Sequence, residues 1–200
     1  MWSPDWFGNG NTQNDTTMEE SNVSVDSQGL ELSLASNRTG ALVSSNPFDG
    51  QLGHTGFQIA PSVGKPVYVE YKATLPAADG QIAHWPALWL TGQDWPQDGE
   101  IDVMEGFGTS SQYHVRYGTP GDVTTRGGVG GTTAGTHTFG VLWTTVDITF
   151  VYDGSVVGSI PVSLTSPMYL IMENSLSYSG ANAPSLVPST MTVRYVRVWQ

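Results

Sequence analysis

The strongest constraint on the fold is the period at which apolar residues recur along the chain. Short runs alternate apolar and polar residues at the two-residue period of a β-strand, as in Leu30–Leu34. No window of the 200 residues shows a convincing 3.6-residue helical period. Turn-forming residues are frequent, with 24 Gly and 12 Pro. The sequence therefore predicts an all-β protein of many strands joined by turns.

The predicted strands number about thirteen. They cover residues 22–25, 30–34, 41–44, 56–60, 67–75, 81–90, 99–105, 112–117, 137–144, 146–152, 155–160, 168–175 and 191–200. Asp153-Gly154 predicts a two-residue hairpin turn, and residues 118–135, with seven Gly, predict a long flexible loop. No repeat or linker divides the chain, so we expect a single domain over residues 1–200.

Charge and composition exclude several classes of function. The net charge is −11, from 18 acidic and 7 basic residues, which argues against nucleic-acid binding and is compatible with a neutral polymer. The chain has no Cys, so a disulfide framework, a thiolate metal site and a Cys nucleophile are excluded. No apolar run approaches 18 residues, so we expect no membrane partner. The first residues lack signal-peptide features, and we interpret Met1 as the start either of a mature domain or of an artificially expressed fragment.

Three carboxylates lie close together in the stretch Glu100-Ile101-Asp102-Val103-Met104-Glu105. On a strand, Glu100 and Asp102 point to the same face, and an extra residue in a β-bulge at Val103–Met104 would bring Glu105 to that face too. The nearest bases in the sequence are Lys72 and Arg116, so we expect no local cation to offset this charge. Like charges this close cost free energy. Their presence therefore suggests that they serve a function.

Paired carboxyl groups are what glycoside hydrolysis requires, at about 5–5.5 Å for retention of configuration and about 6.5–9.5 Å for inversion. The backbones of Glu100 and Glu105 would lie roughly 13 Å apart, a gap that two Glu side chains can largely close. Asp102, between them, could separate their pKa values. Trp85, Trp89 and Trp95 flank the acids and could stack on sugar rings. The alternative is that the acids are solvated on an outer sheet face and that Trp89 belongs to the core.

Other kinds of site lack their sequence patterns. The chain has no Gly-x-Ser-x-Gly elbow, no phosphate-binding Gly-Lys-Ser/Thr loop and no His-Glu-x-x-His motif. The four His residues are scattered along the sequence. We therefore expect neither a metal ion nor a cofactor.

The acidic stretch resembles the E-x-D-x-x-E signature of glycoside hydrolase family 16. Trp85-Pro86-Ala87-Leu88-Trp89-Leu90 is similar to the W-P-A-x-W-L strand of that family. Further resemblance extends over most of the chain, through residues 22–32, 137–154, 167–171 and 193–198. It implies a concanavalin A-like β-jelly-roll sandwich of two curved antiparallel sheets, with a substrate cleft on the concave face.

The resemblance also implies roles for individual residues in a retaining, endo-acting mechanism. Glu100 matches the nucleophile, Asp102 the assisting carboxylate and Glu105 the acid/base. The bulged form resembles the branch with endo-β-1,3-glucanases, agarases and carrageenases, and the Trp-rich stretch most resembles the β-1,3-glucanases. The implied partner is a neutral β-glucan, cleaved by a secreted monomer.

Some positions depart from the family pattern. Arg116, in His114-Val115-Arg116, stands where many relatives have a His on the leaving-group side, and Lys72 stands where many have Arg. Arg194 replaces an Asp that in many relatives helps to bind a structural calcium ion, so we expect that ion to be absent. His114 and Arg116 are candidate substrate-binding residues, with the three Trp residues.

Two neighbouring polar residues are further candidates for the cleft. Glu173 or Asn174, on the strand at 168–175, is expected to reach the cleft, and the sequence does not decide which.

The alternatives for the whole chain are a non-catalytic, lectin-like glycan-binding module, an adhesive β-sandwich, or the same hydrolysis on another polysaccharide such as mixed-linkage glucan or agarose.

Overall fold

Antiparallel strands account for nearly all of the regular structure in the computed structural model. It describes residues 2–4, 12–13, 16–48, 55–78, 81–107, 110–118, 123–129, 135–176 and 188–200. These ranges contain no α-helix, and a 3-10 turn at Glu20–Asn22 is their one helical element. In this part of the chain, therefore, no helix is long enough or apolar enough to cross a lipid bilayer.

The strands in chain order are β1 Thr12–Gln13, β2 Thr16–Thr17, β3 Val23–Val25, β4 Leu30–Leu34, β5 Ala41–Ser44, β6 Val67–Thr74, β7 Ala77–Ala78, β8 Gln81–Ile82, β9 Trp85–Thr91, β10 Glu100–Phe107, β11 Ser110–Arg116, β12 Val123–Gly128, β13 Thr136–Trp143, β14 Asp147–Tyr152, β15 Ser155–Pro161, β16 Tyr169–Ser175 and β17 Ser189–Trp199.

Two large sheets form the sandwich. One has six strands in the order β12-β11-β10-β9-β16-β5, and the other has seven in the order β15-β14-β13-β6-β17-β4-β3. All pairs within them are antiparallel. Together the sheets form the predicted jelly-roll, with non-consecutive strands as neighbours in both.

The hydrophobic core lies between the two sheets and follows from the alternation in the sequence. In β6, Val67, Val69, Tyr71 and Ala73 are buried and the residues between them are half-buried, as period-two patterning predicts. Across the core, the ring of Tyr113 on β11 stacks on Phe150 of β14, with centroids 4.2 Å apart. The inward side of β6 is therefore apolar. Because the core lies between the sheets, the outward side of the six-stranded sheet is free for polar chemistry.

Several predicted elements differ from the structure. Residues 56–60 were expected to form a strand, but they contribute only an isolated bridge between Ile59 and Met168. The segment 81–90 is divided between β8 and β9 by His84, whose φ of 57° interrupts an extended strand. The prediction of a loop throughout 118–135 is wrong at β12, because Thr and Gly residues there pair with β11. Residues 119–122 and 130–134 of that segment lie outside the described residues.

The hairpin turn at Asp153-Gly154 is confirmed. It joins β14 to β15, and its two residues have φ values of 45° and 76°. Positive φ at both central residues matches the right-handed twist of the flanking strands.

Candidate active site

The three predicted acids lie on β10, and an irregularity in that strand aligns them. Against β11, Asp102 pairs with His114 and Glu105 pairs with Gln112, so three steps on β10 face two on β11. The register with β9 also shifts, between Asp102 and Met104. The predicted bulge is therefore confirmed. It returns Glu105 to the face occupied by Glu100 and Asp102.

This face of the six-stranded sheet points away from the core, and we call it the cleft face. Ile101 and Met104, on the other side of β10, belong to the hydrophobic core. Glu100, Asp102 and Glu105 are nevertheless only 8%, 3% and 6% exposed. Three carboxyl groups are thus held together with little access to water, which is costly unless neighbouring groups compensate.

Both oxygens of Glu100 have partners. Trp95 Nε1 donates a hydrogen bond of 2.6 Å to Glu100 Oε2. Arg116, which is directly opposite on β11, places its Nε 3.2 Å from Glu100 Oε1 and 3.9 Å from Asp102 Oδ2. The expectation that no cation offsets the acids is therefore wrong, because the antiparallel pairing brings back a residue that is distant in sequence.

Glu105 is held in the same way from its two sides. Trp85 Nε1, on β9, donates a hydrogen bond of 2.8 Å to Glu105 Oε1. His114 Nδ1, on β11, contacts Glu105 Oε2 and lies 3.9 Å from Asp102 Oδ2. The two Glu side chains are therefore each fixed by one indole N–H and one side chain of β11.

Burial raises the pKa of Glu100, and the Arg116 cation and the Trp95 hydrogen bond oppose that rise. Burial also raises the pKa of Asp102, well above its usual range, and the charges of Glu105 and Glu100 add to it. Asp102 and Glu100 hydrogen-bond to each other. A protonated Asp102 that donates to an ionised Glu100 accounts for this pair, so Asp102 can help to keep Glu100 ionised.

The structure brings the other candidate residues to the cleft face with one exception. Trp89 pairs with Asp102 and therefore lies beside the acids. It is only 5% exposed, because it packs in a cluster of apolar residues with Leu42, Tyr169 and Ile171. Trp95 is 40% exposed. Glu173 shares the cleft face, because it pairs with Ala87, which pairs with Glu105.

Asn174 points the other way. Its Nδ2 donates to the carbonyl oxygens of Leu32 and Ser189, which belong to the seven-stranded sheet. Glu173, not Asn174, is therefore the residue of this pair on the cleft face. The alternation along β16 decides a question that the sequence left open.

The departures at Lys72 and Arg194 lie on the seven-stranded sheet, away from the acids. Lys72 is half-buried on the outer side of β6, and Arg194 Nη1 donates to Gln28 Oε1 at 3.1 Å.

A cation could be held by Asp102, Glu105 and His114. Their ligand atoms all lie within 4.8 Å of one another, and all three residues are buried. A carboxylate and imidazole set of this kind suits a borderline metal such as zinc. It would, however, occupy oxygens of two of the acids, so this group supports acid–base chemistry or metal binding but not both at once.

Sequence reasoning missed Ser175 and the contacts of Arg116. Ser175 Oγ lies 3.2 Å from Glu173 Oε1 and 3.2 Å from the carbonyl oxygen of Trp85. Its place two residues after Glu173 on one strand is the signal that could have identified it.

A family model described as "XgeA-like, catalytic GH16 domain" matches residues 73–140, which include the acids and the Trp-rich strand. Glucan endo-1,3-beta-glucosidase A1 of Niallia circulans is 30% identical over 165 residues, covering 66% of this chain and 24% of that protein. The chain thus spans about a quarter of the length of this relative.

Solved structures share the fold. SCLam, a non-specific endo-β-1,3(4)-glucanase from family GH16, superposes with a TM-score of 0.76 at 22% identity, covering 100% of this chain and 87% of SCLam. The endo-β-1,3-glucanase of Pyrococcus furiosus gives a TM-score of 0.71 at 23% identity, covering 92% of this chain and 79% of that one.

Proposed function

We propose that this chain, which belongs to glycoside hydrolase family 16, is a retaining endo-β-glucanase that cleaves internal linkages of β-1,3-glucan. The observation that carries the proposal is the bulge in β10. It places two Glu side chains and an Asp on one sheet face, each Glu held by an indole N–H. A solvated acid row would not need buried carboxyl groups with fixed partners.

In the first step, Glu100 attacks the anomeric carbon as an ionised nucleophile. Glu105 donates its proton to the glycosidic oxygen, the C–O bond breaks, and a covalent glycosyl-enzyme ester forms at Glu100. In the second step, Glu105, now ionised, takes a proton from water, and the resulting hydroxide attacks the same carbon. The ester bond to Glu100 breaks, and both carboxyl groups return to their initial states.

The neighbouring residues prepare these roles. Arg116 and Trp95 favour the ionised form of Glu100 against the effect of burial, which a nucleophile requires. Asp102, as a hydrogen-bond donor to Glu100, can orient it and share its charge. Trp85 and His114 fix the carboxyl group of Glu105 at one end of the row.

The preference for β-1,3-glucan rests on resemblance to proteins whose names include endo-1,3-β-glucosidase and endo-β-1,3(4)-glucanase. Mixed-linkage glucan is therefore the first alternative substrate, followed by agarose. We further propose that the chain works as a monomer, which size-exclusion chromatography tests, and that it is secreted, since polymeric glucans are encountered outside the cell.

A reducing-sugar assay with laminarin, lichenan, agarose and xyloglucan tests the activity and identifies the polymer. Rapid appearance of new oligosaccharides of intermediate length supports endo cleavage. Proton NMR of the first products reports the anomeric configuration, and an initial α product would exclude retention.

The lectin-like alternative is supported by the close pairing of Glu100 with Arg116, which would also suit a binding site. Binding of laminarin with no products would favour that alternative.

A further inference from the structure

Glu173 is a fourth carboxyl group on the cleft face, and the proposed reaction gives it no role. It lies on β16, two strands from Glu105, and is 3% exposed. Burying a carboxyl group costs free energy. Its presence here therefore suggests a function. Its contacts indicate what it does.

The two contacts of the Ser175 hydroxyl group favour a protonated Glu173. Ser175 Oγ lies 3.2 Å from two acceptors, the carbonyl oxygen of Trp85 and Glu173 Oε1. A hydroxyl group has only one proton to donate. Both contacts become hydrogen bonds if Ser175 donates to Trp85 and Glu173 carries a proton on Oε1, which it donates to Ser175 Oγ. This arrangement requires a neutral Glu173.

The charges around Glu173 favour the same state. Its neighbours on the cleft face, Trp85, Ala87 and Trp89 of β9 and Leu42 and Ser44 of β5, carry no titratable group. Beyond β9 are three acids, Glu100, Asp102 and Glu105, and beyond those are His114 and Arg116. Burial raises the pKa of Glu173 to about 8, and the charges of Glu105 and Glu100 contribute to the rise.

The indole of Trp89 links Glu173 to the acids. Trp89 and Glu173 are diagonal neighbours on the cleft face, because Trp89 pairs with Ile171 and Ala87 pairs with Glu173. The Trp89 side chain opposes the rise in the pKa of Glu173, and Trp89 is paired with Asp102 across β9 and β10. We infer that Glu173 is a positioning residue, which as a neutral carboxylic acid fixes the Trp89 ring beside Asp102 without adding a negative charge to the cleft. This rests on the proposed function, in which the Trp89 ring borders the bound sugar.

Kinetics with laminarin test whether Glu173 acts through Trp89. Glu173→Gln stays neutral and keeps an acceptor for the indole, so its kcat/KM should be within about threefold of wild type. Glu173→Leu and Trp89→Phe should each lower kcat/KM about tenfold, mainly through KM. Because the two residues act as one unit, the double variant should also lose about tenfold, not a hundredfold. Additive losses, or an unchanged Glu173→Leu, would overturn the inference.

An NMR readout separates this inference from the proposed function. The Trp89 indole N–H resonance is the one that Trp89→Phe removes, and it needs no substrate to be observed. We expect it to move in Glu173→Leu and to stay near its wild-type position in Glu173→Gln. Glu173→Ala serves in the same way where the Leu variant does not fold. An unmoved resonance overturns the inference, whereas a moved resonance in a protein that hydrolyses no glucan overturns the function and leaves the contact standing.

Discussion

Arg116 faces Glu100 directly across β10 and β11, with Arg116 Nε 3.2 Å from Glu100 Oε1. Arg116 is partly exposed, with a side-chain accessibility of 37%, while that of Glu100 is 11%. Solvent therefore weakens this pair, but the guanidinium still opposes the effect of burial on the acid. The pair concerns the one acid that has to be ionised for the proposed reaction to begin.

Replacing Arg116 by Met should move the acidic limb of the pH–rate profile to higher pH. Without the cation, burial raises the pKa of Glu100 further, so a larger fraction is protonated and unable to attack at a given acidic pH. The measurement is kcat/KM for laminarin from pH 4 to pH 8.

Arg197→Met is the matched control, because Arg197 stacks on Tyr195 on the other sheet, 4.2 Å from the ring centroid. It removes the same charge from the protein without touching Glu100. Identical shifts in both variants would mean that the net charge of the protein, and not the contact with Glu100, determines the pH of the acidic limb.

Trp95→Phe should shift the acidic limb in the same direction and lower kcat. The ring that can stack on a sugar is kept, while the hydrogen bond to Glu100 Oε2 is lost, and that bond lowers the pKa of Glu100. We expect a fall in kcat of about tenfold, corresponding to one charge-assisted hydrogen bond, with a smaller change in KM. Trp199→Phe, at an exposed Trp on β17, is the control and should leave both constants unchanged. A change in KM alone would show that Trp95 acts as a stacking platform only.

Glu100→Gln and Glu105→Gln should each lower kcat by at least about a thousandfold while the protein stays folded. Each substitution keeps the shape of the side chain but removes the nucleophile or the transferable proton. Far-UV circular dichroism checks the fold, and Glu20→Gln, an exposed acid in the 3-10 turn, is the control. Full activity in either active-site variant would exclude the assignment of roles.

The sequence predicted the acid row well because its information is local. Two residues between Asp102 and Glu105, where regular alternation allows one, indicate a bulge without any knowledge of the partner strands. The same holds for the hairpin at Asp153-Gly154, whose turn chemistry is contained in two residues. Both predictions depend only on residues that are adjacent in sequence, so they do not require knowledge of the tertiary contacts.

The partners of the acids could not be predicted in the same way. Arg116 is sixteen positions from Glu100, and only the register of β10 with β11, which the bulge itself shifts, brings them together. β12 was missed because its Thr and Gly residues show no apolar alternation. The strand is stabilised by its pairing with β11, which the sequence of β12 does not indicate. The choice between Glu173 and Asn174 likewise needed the register of β16 with β9.

Tyr71→Phe should stabilise the protein. Tyr71 is fully buried between the sheets, and its hydroxyl has no hydrogen-bond partner among the described residues. Removing a buried, unpaired hydroxyl should raise the free energy of unfolding by about 1 kcal/mol. Urea denaturation measures this, with Tyr195→Phe as the matched control, since the Tyr195 hydroxyl donates to Glu70 Oε1 at 2.8 Å. A loss of stability in Tyr71→Phe would indicate a partner for that hydroxyl.

Glu173 should make the stability of the protein depend on pH. Burial raises its pKa to about 8 in the folded protein from an ordinary value of 4.5, so between these values the folded state holds a proton that the unfolded state has lost. Stability from this group is therefore complete below pH 4.5 and is lost as the pH rises toward 8, by at most about 1.4 kcal/mol for each pH unit. Glu173→Gln does not titrate, so its free energy of unfolding relative to wild type should rise steadily between pH 5 and pH 8. Measuring both proteins together cancels the contributions of Glu100 and Asp102, which are buried in each. A difference that stays constant over this range would mean that Glu173 is already ionised in the folded protein at pH 5, and the neutral acid beside Trp89 would have to be abandoned.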